Sequence, residues 1–205
     1  MAHKKRVAIL ISGRGSNMRS LIAAAAAPDF PAEIVLVISN AVNAEGLHHA
    51  AAAGIATQVV SHKPYESREA FDAAVSASLE AADVDIVCLA GFMRILSSWF
   101  TRRWEGRLLN IHPSLLPLFK GVHVHEQVLQ AGVRVSGCTV HFVVPELDAG
   151  PIIAQVAVPV AIDDTPETLG ARVLVEEHKL YPAALKVLAE ERVRLENGRA
   201  VFTRL

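Results

Sequence analysis

Short apolar runs alternate with polar-faced or alanine-rich stretches through most of the chain. Residues 7–11, 34–38 and 84–90 are apolar nearly throughout rather than at every second position, and the shorter run 57–60 ends in two valines. That pattern predicts strands of a parallel sheet covered on both faces. Between them, residues 16–27, 45–53 and 67–82 predict helices, the first ending in a run of alanine, the best helix former. A further apolar strand ends in Leu109-Asn110-Ile111-His112, and residues 136–144 and 152–160 predict two more. A long closing helix is expected over residues 165–191, with Asp163, Asp164 and Thr165 as caps and Pro166 in its first turn. Gly170 and Pro182 inside it leave its continuity open. The tail, residues 193–205, predicts a small hairpin turning at Asn197-Gly198. Strand–helix alternation of this kind predicts an α/β fold: a doubly wound, mostly parallel Rossmann-like sheet with helices on both faces. Neither a repeat nor a linker marks a second domain, so residues 1–205 read as one.

Composition narrows the function classes. The 205 residues are 52% hydrophobic, ample for a core, and the net charge of −1 leaves no electrostatic footprint for nucleic acid or an anionic membrane surface. No apolar run approaches the roughly 20 residues needed to span a bilayer, and residues 7–11 are too short for a signal segment. A cytoplasmic protein with small-molecule partners is expected. Cys88 and Cys138 sit in apolar runs outside any CxxC pair, which reads as two buried free thiols.

Polar residues inside this apolar pattern carry the chemistry. Asn110 and His112 stand two apart on a strand, so their side chains project to one side, and Pro113 ends the strand behind them. The first strand runs into Ser12-Gly13-Arg14-Gly15-Ser16-Asn17 and then a helix, whose first N–H groups and positive dipole end suit a phosphate. This is neither GxGxxG nor a Walker loop, and a plain capped turn remains the simpler alternative. Gly91, Met93, Ile95 and Leu96 follow the fourth strand, at the carboxyl edge where doubly wound sheets bind ligands. Glu146-Leu147-Asp148-Ala149-Gly150-Pro151 reads as a turn. Folded back over His112, Asp148 would favour the imidazolium. His112, His123, His125, His141 and Asp148 also raise a metal site, but their spacing matches no zinc signature, and none is expected. His48, His49 and His62 read as solvated. A nucleotide-dependent oxidoreductase lacks its glycine fingerprint here, and a non-enzymatic nucleotide-binding module leaves Asn110, His112 and Asp148 without a task.

Taken together, these segments resemble the folate-dependent formyltransferases. The run Asn110-Ile111-His112-Pro113-Ser114-Leu115-Leu116-Pro117 is similar to that family's catalytic signature, and Asn110, His112 and Asp148 match its catalytic triad. The resemblance, over residues 7–182, implies the formyltransferase fold and transfer of a formyl group from 10-formyltetrahydrofolate, the cosubstrate, without a metal. Ile11 to Asn17 resembles the loop of the branch that acts on glycinamide ribonucleotide in purine synthesis. It implies an N-terminal phosphate-binding part, with Gly15, Ser16, Asn17, Leu174, Val175, Glu176 and Glu177 on the ribonucleotide. The C-terminal part would be folate-binding. Arg68, Met93, Arg94, Ile95, Leu96, Asn110, Val144, Pro145, Glu146, Leu147 and Asp148 would hold the formyl-folate. A formyl-folate hydrolase, or a formyltransferase with another acceptor, is the alternative within the same signature. Two positions depart from the family pattern: Leu174, where some relatives carry a polar residue, and Lys120, where many have proline. Monomer and homodimer are both left open.

Overall fold

Alternate residues of the first strand serve two different cores. In β1 (Lys5–Ile11), Val7, Ile9 and Ile11 face one apolar cluster while Ala8 and Leu10 face another, as the strand period of two requires. The computed structural model describes residues 3–203. Seven strands form one sheet: β1, β2 (Ala32–Ser39), β3 (Ala56–Val59), β4 (Ile86–Leu89), β5 (Leu108–His112), β6 (Val135–Phe142) and β7 (Ile152–Pro159), in the order β3-β2-β1-β4-β5-β6-β7. β1 to β5 are mutually parallel, whereas β6 and β7 run antiparallel. The mostly parallel doubly wound sheet is therefore as expected.

Helices α1 (Ser16–Ala25), α2 (Glu45–Ala52), α5 (Val124–Gln130) and α6 (Pro166–Ala189) pack residues into the first core. The second core lies under α3 (Arg68–Ala81) and α4 (Ser98–Arg103), which contribute Phe71, Val75, Leu79 and Phe100. Chain direction across the sheet reverses between β1 and β4. Their loops part at the carboxyl edge and open a crevice there.

Two differences from the sequence expectation are plain, and one question it left open is answered. All four residues of β3 are exposed, because it is the sheet edge rather than a strand covered on both faces. The short helices α4 and α5 stand where no element was predicted. The closing helix α6 is continuous through Gly170 and Pro182. Thr165 and Thr168 bond reciprocally at its start, with Pro166 in the first turn, and Arg172 clamps Asp164 with two hydrogen bonds of 2.7 and 2.8 Å. Gly170 admits the His125 ring of α5, since a Cβ there would lie 3.0 Å from its Cδ2.

Deep in the same helix, the Tyr181 hydroxyl lies 3.0 Å from the carbonyl of Leu89, the last residue of β4, and 3.2 Å from that of Leu109 near the start of β5. The tail forms the predicted hairpin, β8 (Val193–Glu196) with β9 (Arg199–Phe202). Asn197 and Gly198 both take positive φ, as a tight two-residue turn requires.

Candidate active site

β5 ends at the crevice, and its last three residues place Asn110 and His112 along the wall of one cleft of about 560 Å³. Apolar Met93, Ile95, Val122 and Leu147 line the same cleft. His112 is buried, and its Nε2 lies 2.8 Å from the Phe119 carbonyl oxygen. A carbonyl only accepts, so Nε2 carries the hydrogen and donates it. The other ring nitrogen, Nδ1, faces Asp148 Oδ2 at 3.5 Å. Asp148 sits at φ 48°, in the left-handed region, and its Oδ2 accepts the Gly121 N–H at 2.8 Å. The loop after β5 is itself tied down. Thr139 on β6 donates to the Ser114 carbonyl and accepts the Leu116 N–H, while the Ser114 hydroxyl donates to Leu118 O. Phe119 O is thereby held where His112 can use it.

Asn110 has a partner that the spacing pattern did not reveal. It pairs in register with His141 on β6, and its Nδ2 lies 3.2 Å from His141 Nε2. His141 Nδ1 lies 2.8 Å from the Phe142 carbonyl and must donate to it. Burial pushes the His141 imidazole below its ordinary range, so the ring stays neutral and Nε2 is an acceptor. The amide nitrogen of Asn110 therefore points to His141, and its second N–H is left for the cleft.

A smaller cleft of about 280 Å³ lies beside the first and is lined by residues Ser12 to Asn17. Gly15 takes φ 72° at the start of α1, which has no side-chain cap and no acidic residue in its first turn. Backbone donors and an uncompensated positive helix end face this cleft. Asn17 Nδ2 donates to Glu177 Oε2 at 2.6 Å, both residues being buried. Burial raises the Glu177 carboxyl above its ordinary range, with the Asn17 bond opposing the shift.

A family model described as formyl transferase matches residues 5–185. The chain belongs to the formyl transferase family. It is 58% identical over 197 residues to the trifunctional purine biosynthetic protein adenosine-3 of Bos taurus, a match covering 96% of this chain but 20% of that protein. It thus spans about a fifth of that longer relative. Phosphoribosylglycinamide formyltransferase of Escherichia coli is 42% identical, covering 95% of this chain and 92% of its own length. The crystal structure of glycinamide ribonucleotide transformylase 1 from Symbiobacterium toebii superposes with a TM-score of 0.96 at 43% identity, covering 100% of this chain and 96% of that one.

Within this family member the sequence-predicted residues divide. Met93, Arg94, Ile95, Asn110, Leu147 and Asp148 line the larger cleft, and Leu96, Val144, Pro145 and Glu146 line a side recess that Asn110 and Asp148 share. Arg68 is exposed on the first turn of α3, outside the lining of both. Of the α6 segment, Glu177 reaches Asn17. Val175 is exposed, Glu176 pairs with Lys179 at 2.8 Å, and Leu174 is half-buried. At Lys120 the missing proline has a substitute: Gln127 Nε2 donates to the carbonyls of Lys120 and Val122 and braces the turn. His62 is half-buried against Phe71 rather than solvated. Among the described residues no three His, Cys, Asp or Glu side chains group as a metal site, and no helix is long and apolar enough to cross a membrane. Burial pushes both thiols, Cys88 and Cys138, up to about 12.

Proposed function

We propose that this formyl transferase moves the formyl group of 10-formyltetrahydrofolate to the primary amine of glycinamide ribonucleotide, the step named for its relatives in purine synthesis. The observation that carries the reading is the convergence of Asn110, His112 and Asp148 on one wall of the 560 Å³ cleft, with the imidazole 3.5 Å from the carboxylate. That volume and its apolar lining suit a pterin-sized ring system. The neighbouring loop at Gly15, Ser16 and Asn17 suits the ribonucleotide phosphate, with Glu177 beside it for the ribose. Leu174 to Glu176 would flank that substrate, and Arg68 would reach the folate from the rim. The reading treats the 205 residues as one catalytic domain. Two unpaired buried cysteines suit a reducing, cytoplasmic setting.

In this reading the amine attacks the formyl carbon, and negative charge grows on the formyl oxygen. The free N–H of Asn110 and, when the ring is protonated, the Nδ1–H of His112 stabilise that charge, since the Nε2–H is already given to the Phe119 carbonyl. Asp148 compensates the imidazolium. The C–N bond to the folate then breaks as the proton lost by the amine is routed to the departing nitrogen. Formylated ribonucleotide and tetrahydrofolate are the products, with no covalent enzyme intermediate.

Mixing the purified protein with both substrates and following tetrahydrofolate release tests this. Asn110→Ala, His112→Ala and Asp148→Asn should each lower kcat by about 10²–10³, with far-ultraviolet circular dichroism unchanged. Near-normal turnover in all three refutes the assignment. Release of formate that does not need the amine points to hydrolysis instead.

A further inference from the structure

At the point where the loops after β1 and β4 part, one side chain spans both. The Ser12 hydroxyl donates to Asn40 Oδ1 at 2.6 Å and accepts the Met93 N–H at 2.7 Å. The Ser12 N–H donates to the Gly91 carbonyl at 3.1 Å. A hydroxyl has a single hydrogen to give, so this one is committed to the end of β2 while its lone pair holds the loop after β4. The next residue is fixed as well. Gly13 O accepts the Gly46 N–H at 3.0 Å, and a Cβ at Gly46 would lie 2.6 Å from Ile11 Cδ1 and 3.3 Å from Gly15 Cα. On the Gly46 side the phosphate-loop backbone is packed closely against α2, whereas a Cβ at Gly13 would meet nothing within 4 Å. Gly91 and Met93, the two residues after β4 that bond to Ser12, line both clefts.

We propose that Ser12 is a positioning residue that couples the two substrate clefts, so that a ligand in either raises the affinity of the other. This rests on the formyl-transfer reading for the identity of the two ligands. An anion seated on the N–H groups of residues 13–17 adds to the bonds that already hold the loop carrying Ser12. A more firmly held Ser12 holds the Met93 N–H more firmly in turn, and with it the backbone that walls the larger cleft. Displacing Ser12 would leave that N–H without its acceptor and the wall free to shift. Coupling of this kind is reciprocal for binding free energies. Its use in a two-substrate enzyme is that the folate wall is set when the amine-bearing substrate is in place.

The test is isothermal titration calorimetry with tetrahydrofolate and glycinamide ribonucleotide, which form a ternary complex in which no formyl group can move. In the wild-type protein, saturating ribonucleotide should lower the tetrahydrofolate Kd about fivefold, at the lower end of ordinary coupling. In Ser12→Ala the ratio should fall to about one. Ser12→Cys, which keeps the volume but bonds weakly, should behave in the same way. Ser12→Thr, which keeps the hydroxyl, should restore the ratio. A purely structural role would lower the unfolding midpoint and both affinities yet leave their ratio intact. A wild-type ratio of one, or a fivefold ratio retained in both Ser12→Ala and Ser12→Cys, overturns the proposal. If each ligand binds the wild-type protein without coupling, the Ser12 assignment alone falls. If neither binds, the formyl-transfer reading falls with it.

Discussion

An amide side chain has two ends of opposite hydrogen-bonding character, and at Asn110 a neighbouring imidazole decides which end does what. His141 Nδ1 is committed to the Phe142 carbonyl, so Nε2 presents a lone pair that only an N–H can meet. Turning the amide over would set two lone pairs against each other. The buried His141 has its pKa lowered, so this acceptor persists below the usual imidazole value of about 6.5. Replacing it, as in His141→Phe, removes the acceptor and lets the amide rotate. We expect kcat to fall about tenfold, the equivalent of one ordinary hydrogen bond of about 1–1.5 kcal/mol, with a smaller change in the folate KM. Steady-state kinetics check this, and an unchanged kcat would show that Asn110 is oriented by something else.

At the scale of elements, the turn between β6 and β7 carries Asp148 to His112, and its close approach depends on Gly150. A Cβ at Gly150 would overlap the Phe142 carbonyl oxygen, the same atom that accepts from His141 Nδ1. Gly150→Ala must therefore push the turn outward and disturb at once the supports of Asn110 and of His112. Overpacking of this kind costs about 1–3 kcal/mol. Urea unfolding should report that loss, and kcat should fall beyond it because Asp148 moves away from His112. Wild-type turnover in Gly150→Ala would mean that the position of Asp148 is not set by this turn. The same turn marks what could be read from the chain alone. Asn110 and His112 are two apart on an apolar strand, so their shared direction is written into local spacing. That His141 meets Asn110, and that Asp148 meets His112, depends on the antiparallel register of β5 with β6 and on a close backbone approach, neither of which local spacing records. The apolar strands β1, β2 and β4 and the long capped α6 were legible for the same local reason. α4 and α5, at six and seven residues, are too short to display a helical period. β3 looked like a covered strand because composition does not say which strand lies at the edge.

Across the whole molecule, two sets of buried or half-buried groups give stability an opposed dependence on pH. His125, His141 and His178 have their pKa values lowered, each chiefly by burial. Below about pH 6.5 the unfolded chain takes up protons that these folded rings refuse, so their contribution falls as pH falls. Asp72 and Glu177 have raised pKa values, again chiefly through burial. Above about pH 4 the folded state keeps protons that the unfolded chain releases, so their contribution is present in acid and is lost as pH rises through the folded values. Glu177→Gln separates the two sets. The amide oxygen can still accept from Asn17 Nδ2, which now meets Glu177 Oε2 at 2.6 Å, while the titration disappears. Asn17 Oδ1 is buried without a partner and gains a nearby donor. Urea unfolding in steps from about pH 4.5 to 7.5 should therefore show the variant gaining on the wild type as pH rises, because only the wild type has to ionise a buried carboxyl. A stability difference between the two that stays constant across that range would mean that Glu177 titrates alike in the folded and unfolded chains. The pairing with Asn17 would then already hold it as a carboxylate.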